Sequence, residues 1–387
     1  MTVTIRTLDE LLQPPVTAES NLNTQEYYVN MGPQHPISHG SLRFVARLDG
    51  ETVKQIIPAP GYVHRGLEKM CEHLSYRQTI HLTDRMDYFS ALMGNWAVSK
   101  TVEKAGNIEV SERAQYIRTI MAELQRVQSH ALWWAVLGMD LGAFTPFLYG
   151  FREREIISEI FEETIGARLT MNYIQPGGVM YDILPDFAAK VKKVVAYLKP
   201  VVEEYDTLLS GNVILQERLR NVGAFPAEKA LAMGCTGPVL RASGVPLDLR
   251  KIDPYGVYAK AEFNVVIGTK GDSWDRYYVR IQEMRESLKI IEQLIDNIPE
   301  GAHSTTKPNV RVKLPEGVHY DHLETSRGIL GVTIVSDGKE ATPYRMHFRS
   351  PNYCNLWCIT ELAPGWRLAD VIAILSSMDL VIPEIDR

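Results

Sequence analysis

Two histidines stand four residues apart in the segment NMGPQHPISHG, residues 30–40. Pro33 and Pro36 fix their own φ angles and disfavour the α conformation in the residues before them, so this segment is not a helix. His35 and His39 therefore do not share a helical face. Three interpretations are open at this point: metal ligands, residues of an ordinary polar loop, or one imidazole directed into a cavity.

Three other short segments combine residue types that could do chemistry. PGYVHRGLEK (residues 60–69) places Arg65 at a loop-to-helix joint, and LTDRMDY (82–88) brings Arg85 close to Tyr88. GMDLGAFTPF (138–147) places Asp140 between two glycines. Each also has a plain structural explanation, such as a buried tyrosine with a satisfied hydroxyl or an aspartate bonding backbone amides in a turn. GxGxxG, Walker, GxSxG and HExxH motifs are absent from the sequence, so motifs alone assign no reaction.

The composition excludes several classes of protein. The chain has 387 residues, of which 45% are hydrophobic, a net charge of −6 and no basic run, so nothing indicates nucleic-acid binding. No apolar run reaches the roughly 18 residues of a membrane span, and the first residues lack the pattern of a signal peptide. Four cysteines make no disulfide framework, and the CxxxC pair of Cys354 and Cys358 indicates two buried thiols. We therefore expect a protein of the cytosolic side.

Strand patterns flank a helical centre. Alternation over residues 42–48 and a second run at 52–57, around Asp49-Gly50, predict a β-hairpin. Apolar stripes of period 3.6 predict four long helices, beginning after Ser111, at Pro146, near residue 185 and near residue 273. The second of these helices is expected to bury Phe147, Phe151, Ile157, Ile160 and Phe161. Further strands are predicted at 328–336 and 344–348.

These patterns predict an α+β, mainly α fold, in which a central bundle of long helices is flanked by small N- and C-terminal antiparallel β regions. The expected organisation is an N-terminal arm at 1–26 and one domain at 27–387. Within that domain we expect a β-hairpin at about 41–58, a helical bundle at about 67–298 and a C-terminal β region at about 310–387.

Several motifs together resemble one known family. They are GPQHPISHG, GYVHRGLEK, DRMDY, LGAFTPF, FRERE, GCTGPVLRASGVPLDLRK, VRIQEMRESLKII and the final EIDR, in this order between about residues 27 and 387. They resemble the quinone-site subunit of bacterial complex I, which is the D subunit of the proton-pumping NADH:quinone oxidoreductase. That family is similar in turn to the large subunits of nickel–iron hydrogenases, whose fold is a helical bundle with small β regions.

The chain departs from the hydrogenases where they bind metal. Hydrogenase large subunits hold nickel and iron with two CxxC pairs, and this sequence has no CxxC pair. No cysteine stands near Asp84 to Tyr88, where the first pair would fall, or among the last residues. Since thiolates are the required soft ligands, we expect no metal in this chain. The resemblance implies that the vacated cavity receives the quinone headgroup instead.

The resemblance also implies roles for individual residues. His39 and Tyr88 would bind the two quinone carbonyls and supply protons, and Asp140 would pair with His39. Arg65 and Arg85 would lie near an iron–sulfur cluster that a neighbouring subunit binds. The chain would bind no cofactor itself, with quinone as its substrate.

The expected setting is a membrane-bound complex. The implied partners are the iron–sulfur subunit, the peripheral-arm C subunit and the membrane H subunit, with this chain peripheral on the cytoplasmic side of the cell membrane and inactive alone. Thr170 stands where many relatives have a histidine, which puts a pH-linked cluster potential in doubt. The alternatives are the large subunit of a membrane-bound nickel–iron hydrogenase and an interaction module without redox chemistry.

Overall fold

Antiparallel strands begin the part of the chain that this computed structural model describes, which is residues 26–35, 40–306 and 311–387. The first five strands are β1 (Glu26–Met31), β2 (Gln34–His35), β3 (Gly40–Ser41), β4 (Arg43–Asp49) and β5 (Thr52–Ala59). Three of them form an antiparallel sheet in the order β1-β4-β5. The predicted hairpin is present, since Asp49 of β4 pairs with Thr52 of β5 across a two-residue loop. The arm predicted at 1–26 lies outside the described residues, except for Glu26.

Helices follow the N-terminal sheet. They are α1 (Leu67–Cys71), α2 (Ile80–Thr83), α3 (Ala91–Gly106), α4 (Glu112–Asp140) and α5 (Thr145–Ile165). The predicted start of α4 is confirmed, because the Ser111 hydroxyl accepts a hydrogen bond from the Ala114 amide and caps the helix. With 29 residues α4 is about 44 Å long and forms the axis against which α5 packs.

The middle of the chain returns along α4. The elements are the strands β6 (Ile174–Gln175) and β7 (Gly178–Val179), then α6 (Phe187–Tyr205), α7 (Val213–Leu219), α8 (Ala227–Ala232), α9 (Gly237–Ala242), α10 (Leu249–Ile252) and α11 (Ser273–Leu294). Asp272 caps α11 by accepting a hydrogen bond from the Asp275 amide. Because α11 packs against both α4 and α6, these helices form the predicted bundle.

Charged side chains are buried between α4, α9 and α11. Glu283 of α11 contacts His130 of α4 at 3.1 Å and Arg241 of α9 at 2.8 Å, and all three are at most 2% exposed. Arg241 also pairs with Glu324 at 2.6 Å. The opposite charges of Arg241 and its two carboxylate partners offset part of the cost of removing them from water. The apolar stripe read from the sequence therefore describes only one side of α4.

The chain ends in a second sheet and four helices. They are β8 (Gly317–Glu324), β9 (Ile329–Ser336), β10 (Arg345–Arg349), α12 (Pro351–Trp357), α13 (Ile359–Leu362), α14 (Leu368–Met378) and α15 (Ile382–Asp386). The predicted C-terminal β region at about 310–387 is therefore wrong beyond Arg349. Helix α14 buries Val371, Ile374 and Leu375, a 3.6-residue pattern that outweighs the β-branched residues in this stretch.

Two side chains expected in the core of α5 are not there. Phe151 is 38% exposed and Phe147 is half-buried, whereas Ile157, Ile160 and Phe161 are buried as predicted. The first half of α5 packs on α4 through Gly150, where an added Cβ would stand 2.6 Å from Ala135. Phe151 lies off this contact and lines a cavity, so its ring stays partly open. Within the described ranges, no helix combines the length and the apolar character needed to cross a bilayer.

Candidate functional site

A cavity of about 280 Å³ lies between α4, α5, the β8–β9 turn and the residues that follow α14. Its wall is mainly apolar, with three polar side chains. The lining residues are Tyr88, Phe89, Leu132, Trp133, Val136, Phe151, Arg327, Asp379, Leu380 and Val381. An apolar cavity with a few convergent polar groups is the usual form of a small-molecule site.

Tyr88 enters the cavity from the segment between α2 and α3. A turn shapes this segment, because the Asp87 carboxylate accepts from the Phe89 amide at 3.2 Å and the Ser90 amide donates to the Asp87 carbonyl. The Tyr88 and Phe89 rings meet edge to face, 4.2 Å between centroids. Within the described residues the Tyr88 hydroxyl makes no hydrogen bond to protein. Burial and the charge of Asp87 raise the pKa of Tyr88, against an opposing effect of Arg327, so the phenol keeps its proton at neutral pH.

Arg327 forms the charged floor of the cavity. Its Nη1 donates to the Asp87 carboxylate at 3.0 Å and to the Ser129 hydroxyl at 2.9 Å, and its Nη2 donates to the Asp379 carboxylate at 3.0 Å. Burial alone would lower the pKa of Arg327, but Asp379 and Asp87 together raise it, so the guanidinium stays charged. Burial raises the pKa of Asp87, and Arg327 opposes that rise.

Asp140, at the end of α4, lies one helical turn beyond the cavity-lining Val136. Its carboxylate accepts a hydrogen bond from the Ser376 hydroxyl at 2.5 Å. The Ser376 carbonyl in turn accepts from the Trp133 indole at 2.7 Å. Asp140 is therefore tied to α14, the helix that leads to Asp379, and does not itself line the cavity.

Arg65 and Arg85 are brought together outside the cavity. Arg65 Nη2 donates to the Arg85 carbonyl at 2.6 Å, and both side chains are exposed. Asp84 is buried beside them, with its Oδ1 3.8 Å from Arg85 Nε. Burial raises the pKa of Asp84 to about 6, although Arg85 and Arg65 act in the opposite direction. The patch is thus cationic and adjoins the segment that carries Tyr88.

His39 lies outside the described residues. The nearest described position is Gly40, where an added Cβ would stand 3.1 Å from the Ile382 side chain. Ile382 follows the cavity-lining Val381 in the chain. The strand β2 ends at His35, which pairs with Gly40 of β3.

Arg327 and Asp379 were not predicted as site residues. Arg327 occupies the turn between β8 and β9, where the Thr325 amide donates to the Gly328 carbonyl at 2.8 Å. Asp379 follows α14 with φ 57°, a left-handed conformation that is rare for aspartate outside special turns. Neither residue had a local signal, because the strand before Arg327 is itself rich in polar residues.

The described residues contain no cluster of three or more histidine, cysteine or acidic side chains placed to hold a metal ion. Of the predicted buried thiols, Cys358 is buried and Cys354 is half-buried. Cys358 Sγ lies 2.9 Å from Sγ of Cys235.

Comparison with known proteins identifies the family. The family model described as respiratory-chain NADH dehydrogenase, 49 kDa subunit, matches residues 140–387. The D subunit of the NADH-quinone oxidoreductase of Desulforamulus reducens is 48% identical over 94% of this chain and 99% of that protein. The chain belongs to the 49 kDa subunit family of NADH dehydrogenases. This is the predicted family. The expectation of an NADH-quinone oxidoreductase subunit is therefore confirmed, and the hydrogenase alternative is not.

Two further relatives describe the range of this 49 kDa family. The C/D subunit of the NADH-quinone oxidoreductase of Bacteroides fragilis is 50% identical over 97% of this chain and 71% of that protein. In the archaeal membrane-bound sulfane sulfur reductase, a respiratory membrane complex, one chain is 36% identical with a TM-score of 0.90, over 94% of this chain and 98% of that chain. The predicted fold class, mainly helical with small antiparallel sheets, is confirmed.

Proposed function

We propose that the cavity beside Tyr88 receives the headgroup of a quinone and that the Tyr88 hydroxyl donates a hydrogen bond, and then a proton, to one carbonyl oxygen. The observation that carries this proposal is a protonated phenol in an apolar cavity, with its hydroxyl unused by other described residues. The phenol O–H is a hydrogen-bond donor, and a quinone carbonyl oxygen is a suitable acceptor for it.

The reaction needs two protons close to the ring. Two electrons convert a quinone into a strongly basic dianion, and each oxygen then takes one proton. Tyr88 supplies one from its phenol, and His39 supplies the other from an imidazolium. Support for His39 comes from Gly40, which packs on Ile382 next to the cavity wall.

Asp140 acts through His39 in this proposal. A carboxylate beside an imidazole favours the charged ring and fixes its orientation. The bond from Ser376 holds the Asp140 carboxylate at the cavity end of α4. When His39 has given up its proton, Asp140 faces a neutral ring, and this charge change is available to bias the position of α14.

The electrons come from an iron–sulfur cluster held by a neighbouring subunit. Arg65 and Arg85 support this part, because they place exposed cations next to the segment that carries Tyr88. Cations there favour the reduced cluster and the anionic headgroup by Coulomb attraction. The electron donor to the whole complex is NADH.

The cavity volume limits how much of the quinone this chain encloses. At about 280 Å³ it lies at the small end of ligand pockets, so it accommodates a ring but no long isoprenoid tail. The tail therefore extends out of the cavity, toward a partner. The partners are the iron–sulfur subunit, the membrane H subunit and the peripheral-arm C subunit, the last supported by the fused C/D relatives. The complex would hold this chain at the cytoplasmic face of the cell membrane.

Filling the cavity tests the proposal. Val136→Trp places an indole in the headgroup volume, so quinone reduction by the assembled complex should fall at least about tenfold, as expected when a bulky group excludes a ligand. Electron transfer from NADH to ferricyanide, an acceptor that needs no quinone site, serves as the control and should be unchanged. Normal quinone reduction by an assembled Val136→Trp complex would show that the headgroup binds elsewhere.

A further inference from the structure

The floor of the cavity holds one unused hydrogen-bond donor and one unused acceptor. Arg327 Nε has no acceptor among the described residues, although the side chain is only 1% exposed. Asp379 Oδ2 accepts no hydrogen bond from the same residues, and Arg280 Nε is 3.8 Å from it. Both side chains line the cavity. A buried polar atom without a partner is costly, so a ligand that supplies partners to both of these atoms would be favoured in this cavity.

The rest of the Arg327 guanidinium is held rigidly. Two carboxylates and the hydroxyls of Ser90, Ser129 and Ser326 surround its Nη1 and Nη2. The backbone turn beneath it is closed by the Thr325–Gly328 hydrogen bond. A donor fixed in this way needs no reorganisation when charge develops next to it.

We propose that Arg327 donates a second hydrogen bond, through Nε, to the headgroup oxygen that Tyr88 contacts, and that Asp379 accepts a hydrogen bond from this oxygen once it is protonated. The inference rests on the proposed function and adds a binding subsite to it. A carbonyl oxygen has two lone pairs, so Tyr88 and Arg327 can donate to it together.

The subsite matches both redox forms of the ligand. In the oxidised form the C=O oxygen accepts from Tyr88 and Arg327. After two electrons arrive from the neighbouring iron–sulfur cluster, the O–H bond of Tyr88 breaks and an O–H bond forms on the headgroup oxygen. This new hydroxyl donates to Asp379 Oδ2, while the positive charge of Arg327 stabilises the tyrosinate until a proton from solvent restores it. Arg327 lowers the pKa of Tyr88, against the effect of burial, which assists this transfer.

Four variants test the subsite in the assembled complex. Arg327→Gln should lower kcat/KM for a short-chain quinone about 10- to 100-fold, because it removes a charged hydrogen bond. Arg327→Lys retains the charge and should lose less. Asp379→Asn should lower kcat more than it changes KM, because its contact forms only with the reduced ligand. Arg285→Gln is the matched control, since Arg285 is also held by two acidic side chains but lies outside the cavity, and it should behave as wild type.

A double variant tests the shared oxygen. If Tyr88 and Arg327 donate to one atom, Tyr88→Phe combined with Arg327→Gln should reduce kcat/KM by less than the product of the two single effects. Independent, multiplying effects would overturn the shared contact. Wild-type kcat/KM in an assembled Arg327→Gln complex would overturn the subsite and leave an ordered water as the partner of these atoms.

Arg327→Lys decides the case in which Arg327→Gln fails to assemble, because the lysine can still pair with Asp87 and Asp379. Wild-type kcat/KM of assembled Arg327→Lys would then overturn the proposed Nε contact. The proposed function fails separately: quinone bound elsewhere would leave Val136→Trp and Tyr88→Phe fully active. If those two are impaired and the Arg327 variants are normal, only the subsite is wrong.

Discussion

Replacing Tyr88 by phenylalanine removes a single oxygen from the cavity. The ring keeps its contact with Phe89, and no hydrogen bond to the described protein is lost, so folding should be almost unaffected. The missing contact is then one to the ligand. A hydrogen bond to a charged group contributes about 1.5–3 kcal/mol, which corresponds to about a 10- to 100-fold fall in the rate of quinone reduction.

The assay is quinone reductase activity per assembled complex, with NADH–ferricyanide activity as the measure of intact electron input. Tyr173→Phe is a matched control, because Tyr173 is fully buried and its hydroxyl donates to the Tyr181 carbonyl, away from the cavity. His39→Ala should reduce turnover at least as strongly as Tyr88→Phe, and Asp140→Asn more mildly. Full activity in an assembled Tyr88→Phe complex, or a loss that only follows reduced assembly, would refute the role of the hydroxyl.

Three further outcomes are expected. In the folded protein the pKa of Asp84 is raised from 3.8 to about 6, so its carboxylate destabilises the fold increasingly as the pH rises from about 4 to 6. Asp84→Asn should therefore stabilise the complex by on the order of 1 kcal/mol at pH 7.5 and less at pH 5; a thermal-inactivation difference that is the same at both would contradict this. Gly237→Ala should cost more than about 2 kcal/mol and reduce turnover, because φ is +70° and the new Cβ would stand 2.4 Å from the Arg327 carbonyl, whereas Gly365→Ala, with φ +88° and no neighbour within 4 Å, should cost about 1 kcal/mol in the same melts. Thr170→His should be tolerated at φ 48° and make the midpoint potential of the neighbouring cluster pH-dependent in redox titrations; an unchanged dependence would argue against contact with the cluster.

Regular patterns in the sequence were sufficient for most of the helical centre. Ser111, the apolar stripe of α4 and the hairpin turn after Asp49 each act locally, so the sequence alone identifies them. The prediction failed at Phe151 and over α12–α15 for a shared reason. Exposure depends on which element packs opposite, and no local pattern contains that information.

The candidate site divides in the same way. Tyr88, Asp140, Arg65 and Arg85 were identified by a family resemblance, and their joint chemistry stays a proposal. The cluster around Arg327 could not be predicted from the sequence, because it forms only where distant segments of the chain meet. Asp87 and Arg327 are 240 residues apart in the sequence, and no spacing rule connects them.

That separation has a consequence for synthesis on the ribosome. Arg327 follows Asp87 by 240 residues, and Asp379 follows Arg327 by another 52. Because the ribosome adds about 5–20 residues per second, about 15–60 s pass between the synthesis of Tyr88 and that of the last residues of the cavity wall. During that interval Phe89 and Trp133 have no Leu380 or Val381 to cover them. A nascent chain in this state exposes an apolar surface, so we expect a chaperone that binds such surfaces to hold it until residues 379–381 complete the cavity wall.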